Sequence, residues 1–279
     1  PGIQFTAKKI LQYSIILLGF GMNLFEILAV GSQSLLIIVS TIGTALITAY
    51  ILSRIMNIER DIATLVGVGS SICGGSAIAA AAPVIKASDK DIAQSISVIF
   101  LFNVVAAFLF PALGDMLGFT DTGFGMWAGT AINDTSSVVA AGQTWASAHG
   151  SDTALNYATI VKLTRTLAII PICLGLAYIT SKTKNTAADV KITSIFPMFI
   201  LYFVMAAIFN TLAGESLPVL AQLPSIGKFM IAMAMAAIGL NTNLVSLVKS
   251  GGKPILLGLV CWIFIALVSI GMQHVLGIW

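Results

Sequence analysis

The sequence predicts an all-α fold, a polytopic membrane protein with inverted repeats and two discontinuous, re-entrant helical hairpins. Three observations lead there. Of the 279 residues, 58% are hydrophobic and only 9% charged, with a mean hydropathy of +1.00. A soluble domain carries roughly 25% charged side chains, so a water-soluble globular fold is excluded. Apolar runs near the ~20 residues that cross a bilayer recur along the chain, and the long alternation of a β-barrel is absent. Two of these runs carry small and polar clusters at their centres, where a lipid-facing helix has no use for them. The net charge of +3 is spread thinly, which excludes a nucleic-acid-binding face. Cys73, Cys173 and Cys261 lie far apart within apolar segments and read as buried thiols; neither a metal-ligand spacing nor a cofactor motif occurs.

Polar punctuation divides the chain into apolar segments at 9–29, 33–53, 62–85, 92–113, 123–145, 154–180, 193–213, 227–247 and 254–276. The third holds Gly69-Ser70-Ser71-Ile72-Cys73-Gly74-Gly75-Ser76, and the fifth Gly129-Thr130-Ala131-Ile132-Asn133-Asp134-Thr135-Ser136-Ser137. Broken backbone at membrane depth is tolerated only where protein or a water-filled cavity satisfies the freed N–H and C=O groups. If both segments return to the side they entered, Lys8, Lys9, Arg54, Arg60, Lys86, Lys90, Lys182, Lys184, Lys191, Lys249 and Lys253 share one side. That side is the cytoplasmic one by the positive-inside rule, with Lys228 outside and Lys162 and Arg165 within the membrane. Spanning forms would carry Lys86 and Lys90 outside and weaken the bias, so the hairpin topology is preferred. It leaves seven full crossings, with the amino end inside and Trp279 outside.

Sliding the chain on itself by 60 residues superposes Asp61 on Asp121, Gly69 on Gly129, Ile72 on Ile132, Ser76 on Ser136 and Pro111 on Pro171. A slide of 220 residues superposes Lys8 on Lys228, Gly19 on Gly239, Asn23-Leu24 on Asn243-Leu244 and Gly31 on Gly251. The first slide defines hairpin-plus-helix units 62–113 and 123–180, and the second helix-pair units 8–57 and 227–278, all within one transmembrane domain spanning 1–279. An odd number of crossings separates each pair, so both repeats are inverted. Inverted repeats with discontinuous helices meeting near the midplane are a recurring design of secondary transporters, with substrate at the repeat interface.

Each hairpin tip exposes the amino end of a half-helix, at Cys73, Gly74, Gly75 and Ser76 in the first and at Asn133, Asp134, Thr135, Ser136 and Ser137 in the second. Free backbone N–H groups and the positive dipole end attract anions, and glycine permits close approach; tight helix packing by small residues is the alternative. Lys162 and Arg165, at i and i+3, share one helix face. An intramembrane charge costs at least ~2.5 kcal/mol unless paired or hydrated, which makes the couple a functional-site candidate. Pairing with Asp134 is the structural alternative, and two cations against one acid leave a surplus positive charge for an anionic substrate. Asp134 also admits a proton role. Asn103 either lines the cavity or bonds between helices, while Asn23, Asn241 and Asn243 suit helix caps. Glu26, His149, Glu215 and His274 read as solvated surface at the outer boundary, and Trp127, Trp145 and Trp279 suit an interfacial belt.

The runs Pro1-Gly2-Ile3-Gln4-Phe5, Ser71 to Ala80, Ala128 to Ser136 and Val161-Lys162-Leu163-Thr164-Arg165 resemble the YeiH-like sulfate exporter family of bacterial inner-membrane proteins. The resemblance runs along the whole chain. It implies a multi-pass transporter for sulfate, sulfite or a sulfonate, with further apolar helices ahead of the Pro-Gly run. In the family pattern His stands at the position of Asn133 and Gln at that of Ser137. Asn133 cannot titrate, so proton coupling through that position does not carry over.

The expected function is therefore secondary transport, and specifically export, of a small oxyanion held between the two tips. A cation or proton antiporter using Asp134 is the alternative. An intramembrane enzyme is disfavoured, since the core holds no His and no zinc-binding spacing. The expected partners are the oxyanion and the lipid bilayer, and a homodimer is compatible with the sequence.

Overall fold

The computed structural model describes residues 2–184, 198–213, 217–241 and 252–279, and all the regular structure among them is helical. The stretches Gly2–Phe5 and Thr6–Ile10, the latter a π-helix, lead into α1 (Leu11–Gly19), and a turn then opens α2 (Leu24–Met56). The break predicted near residues 30–32 lies instead at 20–23. Asn23 caps α2 as expected, its Oδ1 accepting the Phe25 N–H at 2.8 Å. Gly31 and Ser32 stay helical because glycine lets α2 approach Thr164 Oγ1, 3.3 Å from where a methyl would sit, and Ser32 Oγ returns to the Ala29 carbonyl.

Helices α3 (Arg60–Ser71) and α4 (Gly75–Ile85) flank the first small-residue cluster, and α6 (Asp121–Ala131) and α7 (Thr135–His149) flank the second. Between the pairs runs α5 (Asp89–Leu117). Both pairs fold back on themselves. A methyl on Gly69 would meet Ile78 Cδ1 at 2.9 Å, whereas those positions would stand about 13 Å apart along one helix. The Trp145 indole donates to Asp121 Oδ1 at 2.8 Å, and the Phe124 and Trp145 rings stack at 4.0 Å. Along one continuous helix residues 121 and 145 would be about 36 Å apart. The first hairpin closes beside the start of α5 and the second opens beside its end, and α5, at 29 residues, is about 43 Å long. The hairpins thus enter from opposite ends.

The segment predicted at 154–180 is divided into α8 (Thr153–Thr166) and α9 (Ile169–Lys184). Pro171 accounts for the break, since it has no N–H to offer the Leu167 carbonyl four residues back. Its repeat partner Pro111 leaves α5 unbroken. The chain continues through α10 (Met198–Ala213), α11 (Leu223–Asn241) and α12 (Gly252–Leu276). Expected features at 193–197, 242–247, Lys191, Glu215, Asn243 and Lys249 lie outside the described residues.

Among the described residues four helical stretches, Leu24–Met56, Asp89–Leu117, Thr153–Ser181 and Gly252–Leu276, are long and apolar enough to cross a membrane. Their outer faces carry exposed Phe25, Leu35, Ile55 and Phe108 on α2 and α5 and Leu267 on α12, as a hydrocarbon solvent requires. The three cysteines are free and buried. Trp127 and Trp145 depart from the expected interfacial belt: each is 2% exposed. Trp127 stacks on Phe110 at 4.1 Å and donates to the Ala266 carbonyl, while Trp145 lies between Phe124 and His149. Small residues beside them, Gly114 above all, leave room for the rings inside the bundle.

Candidate functional site

The two tips meet against α8. Glycines draw that helix in: a methyl on Gly125 would lie 2.6 Å from Tyr157 Cβ, and one on Gly129 would lie 2.7 Å from Val161 Cβ. With no side chain on α6 at these two contacts, Lys162 and Arg165 reach both hairpins from one face of α8. Each is completely buried. Lys162 Nζ donates to the carbonyls of Ile72, at 2.7 Å, and Ile132, at 3.0 Å. Arg165 donates from Nε to Ser71 O at 2.8 Å and from its two terminal nitrogens to Ser70 O and Thr130 O.

These acceptors are the carboxyl ends of α3 and α6, where a helix leaves its last carbonyls unpaired and carries roughly half a negative charge. The cations therefore satisfy groups that would otherwise be buried without partners. Two such ends together with an ionised Asp134 would offset both positive charges. The surplus positive charge expected from the sequence is answered by backbone. The alternative, an ion pair with Asp134, is not formed: the described residues hold two ion pairs, His149 with Asp115 and Lys228 with Asp152. Asp134 caps α7 instead, its Oδ2 accepting the Ser136 N–H at 2.9 Å and the Ser136 hydroxyl.

The remaining site candidates arrange themselves around the tips. Asn103 bonds between elements, its Oδ1 accepting the Asp134 N–H at 3.1 Å. Gly74, at φ +68° and ψ −129°, adopts a backbone conformation that glycine alone reaches without strain. A methyl there would lie 3.4 Å from both Asn103 Nδ2 and Asp134 Cβ, so the first tip sits directly against the second. Cys73 is buried, and Ser76 Oγ donates to its carbonyl at 3.0 Å with the Cys73 sulfur 3.2 Å away. Gly75 is half-buried and Ser76 exposed, as are Asp134 and Thr135 in part, so both tips face an open side. Asn133, Ser136 and Ser137 are buried, and Asn133 Oδ1 has no partner.

The two amino ends differ. Asp134 already occupies that of α7, whereas no side chain caps that of α4. Sequence reasoning missed the five backbone carbonyls that engage Lys162 and Arg165. They carry no side-chain signature, and their one signal is position, within the first half of each small-residue cluster.

Residues 1–258 match the family described as Conserved hypothetical protein 698. The chain is 58% identical over 286 residues to a UPF0324 membrane protein of Streptococcus mutans, covering 100% of this chain and 84% of that protein. It is 56% identical over 292 residues to UPF0324 membrane protein FN0533 of Fusobacterium nucleatum, covering 99% and 84%. UPF0324 membrane protein spyM18_1033 of Streptococcus pyogenes is 57% identical over 284 residues, covering 100% and 84%. No solved structure matches.

Proposed function

Because this multi-pass membrane chain belongs to the Conserved hypothetical protein 698 family, the YeiH-like group, we propose that it is a secondary transporter exporting a small oxyanion such as sulfate, sulfite or a sulfonate across the bacterial inner membrane. The observation that carries this reading is the uncapped amino end of α4, opened by Gly74 and Gly75 and flanked by exposed Ser76. Its unpaired N–H groups and dipole favour an anion of this size. Lys162 and Arg165 support the site from behind by holding the tips in register, rather than by touching the substrate. A negative-inside potential drives a monovalent anion outward by ~2.3 kcal/mol per 100 mV, so export needs no coupling ion.

The test is thermal-shift screening of the purified protein against sulfate, sulfite, thiosulfate, sulfonates and dicarboxylates, followed by flux of labelled anion in proteoliposomes. Gly75→Val is the decisive variant. A methyl at Gly75 meets nothing within 4 Å, so the variant should fold while its bulk covers the amino end. Loss of anion stabilisation and flux is expected; unchanged stabilisation would reject the site.

A second reading, cation or proton antiport through Asp134, draws support from that carboxylate being partly exposed and outside any ion pair among the described residues. Asp134→Asn separates the two, since Asn still caps α7. The oxyanion reading expects anion binding at least as strong as wild type. Antiport expects cation-dependent proton flux in the wild type, without anion flux, and its loss in the variant.

A further inference from the structure

The carbonyls gathered at the carboxyl ends of α3 and α6 form a cation site, and we infer that its occupant is built into the chain. The Lys162 ammonium and the Arg165 guanidinium stand where a free monovalent cation would otherwise have to bind to hold the hairpins together. Lys162 Nζ lies 2.7 Å from one hairpin's carbonyl and 3.0 Å from the other's, so a single ammonium bridges tips that arrive from opposite ends of the molecule. Arg165 repeats the bridge one turn further along α8, to Ser70 and Ser71 on one side and Thr130 on the other. Carbonyls at the carboxyl ends of discontinuous helices are the ligands that membrane carriers offer to Na⁺. Brought together without a cation, two such ends repel.

The same two segments hold spare acceptors. Ser70 Oγ and Asn133 Oδ1 are 0% and 1% exposed by residue and have no hydrogen-bond partner. The two segments therefore carry buried oxygen beyond what the side-chain donors satisfy, a composition that suits a hard cation. A tethered cation cannot dissociate. The junction is thus closed to exchange with Na⁺ or K⁺, the two hairpins move together, and any ion coupling falls to Asp134 at the open side. This inference concerns the carboxyl ends and stands whether or not an oxyanion binds at the amino end of α4.

The experiment is thermal unfolding of the purified chain in detergent, with Na⁺, K⁺, ammonium or methylammonium exchanged for N-methylglucamine at constant chloride and ionic strength. Wild type should hold its melting temperature to within about 1 °C across the series. Lys162→Ala should melt roughly 5 °C or more lower in N-methylglucamine and recover much of that loss with small cations, methylammonium included. Lys162→Gln keeps hydrogen-bond donors without the charge and should show the same cation response. Wild-type melting of Lys162→Gln without any cation response would mean that hydrogen bonding suffices, and overturns the inference. So does a wild type whose need for Na⁺ or K⁺ persists in Asp134→Asn, or a folded Lys162→Ala that responds to no small cation. If the neutral variants fold only when prepared in potassium or methylammonium, the inference is upheld; if they fold in neither, while Lys162→Arg folds in N-methylglucamine, the bridge is purely structural and the inference fails.

Discussion

Gly74 and Arg165 set the site at the scale of single residues, one by what it lacks and the other by what it donates. At φ +68° and ψ −129°, Gly74→Ala imposes strain of about 1–3 kcal/mol. It also brings a methyl to 3.4 Å from Asn103 and Asp134. The expected result is a folded variant with lower thermal stability and weakened sulfate or sulfite stabilisation, read by the same thermal-shift assay. Arg165 engages three carbonyls. Arg165→Ala removes all three partners, and losing one half of a buried charged contact costs about 3–5 kcal/mol. Arg165→Lys keeps the charge but not the fork, so it should fall between alanine and wild type in chemical denaturation. Equal stability of wild type and Arg165→Ala would sink the bridging role. The pair was legible in the sequence as an unusual intramembrane charge; its partners were not, because backbone carbonyls leave no trace in residue identity.

At the scale of elements, α6 and α8 lie so close that their glycines face backbone and Cβ atoms. A methyl on Gly129 would sit 2.9 Å from the Ala158 carbonyl and 2.7 Å from Val161 Cβ, neither the end of a flexible side chain. Overpacking of this kind costs typically about 1–3 kcal/mol, so Gly129→Ala should be destabilised by that order. Gly43→Ala in α2, where a methyl meets nothing within 4 Å, should be neutral or up to about 1 kcal/mol more stable, since alanine outranks glycine in helices. Urea or thermal denaturation of the two variants side by side checks this, and equal behaviour would contradict the packing account. Small-residue clusters announced the tips correctly. The break after Thr166 escaped notice although Pro171 was in view, and its repeat partner Pro111 sits in an unbroken helix, so proline alone does not mark a break. Whether a proline interrupts a membrane helix depends on what neighbouring groups do for the freed carbonyl.

At the scale of the whole molecule, hairpins entering from opposite ends of α5 place residues 86–88 and 150–152 on opposite faces of the membrane. Single cysteines at Ala87 and Ser151, in a background lacking the three buried native thiols, should react with impermeant maleimide from opposite sides. Labelling from the same side would overturn the arrangement. Lys228, the one cation placed outside by the charge partition, pairs with Asp152 in the 150–152 loop, and the Lys253 ammonium donates to the Met56 carbonyl at 3.0 Å beside the start of α3. The charge bias along the chain and the packing of the ends therefore agree on which loops share a face.

The sequence by itself determined the solvent, the class of fold and the position of the two hairpin tips. Those depend on composition and on local backbone chemistry: apolar length, glycine at a positive φ, small residues where half-helices meet. It also singled out Lys162, Arg165 and Asp134 as the charges that matter. Only the tertiary structure decided what those charges do. A helix end's partial charge arises from aligned peptide groups and acts on whatever the fold brings within a few ångströms. Which end faces Lys162 and Arg165 is set by how α8 docks against α6. The docking turned two cations read as anion ligands toward the carbonyls of Ser70, Ser71, Ile72, Thr130 and Ile132. It left the amino end of α4 as the open, uncapped face.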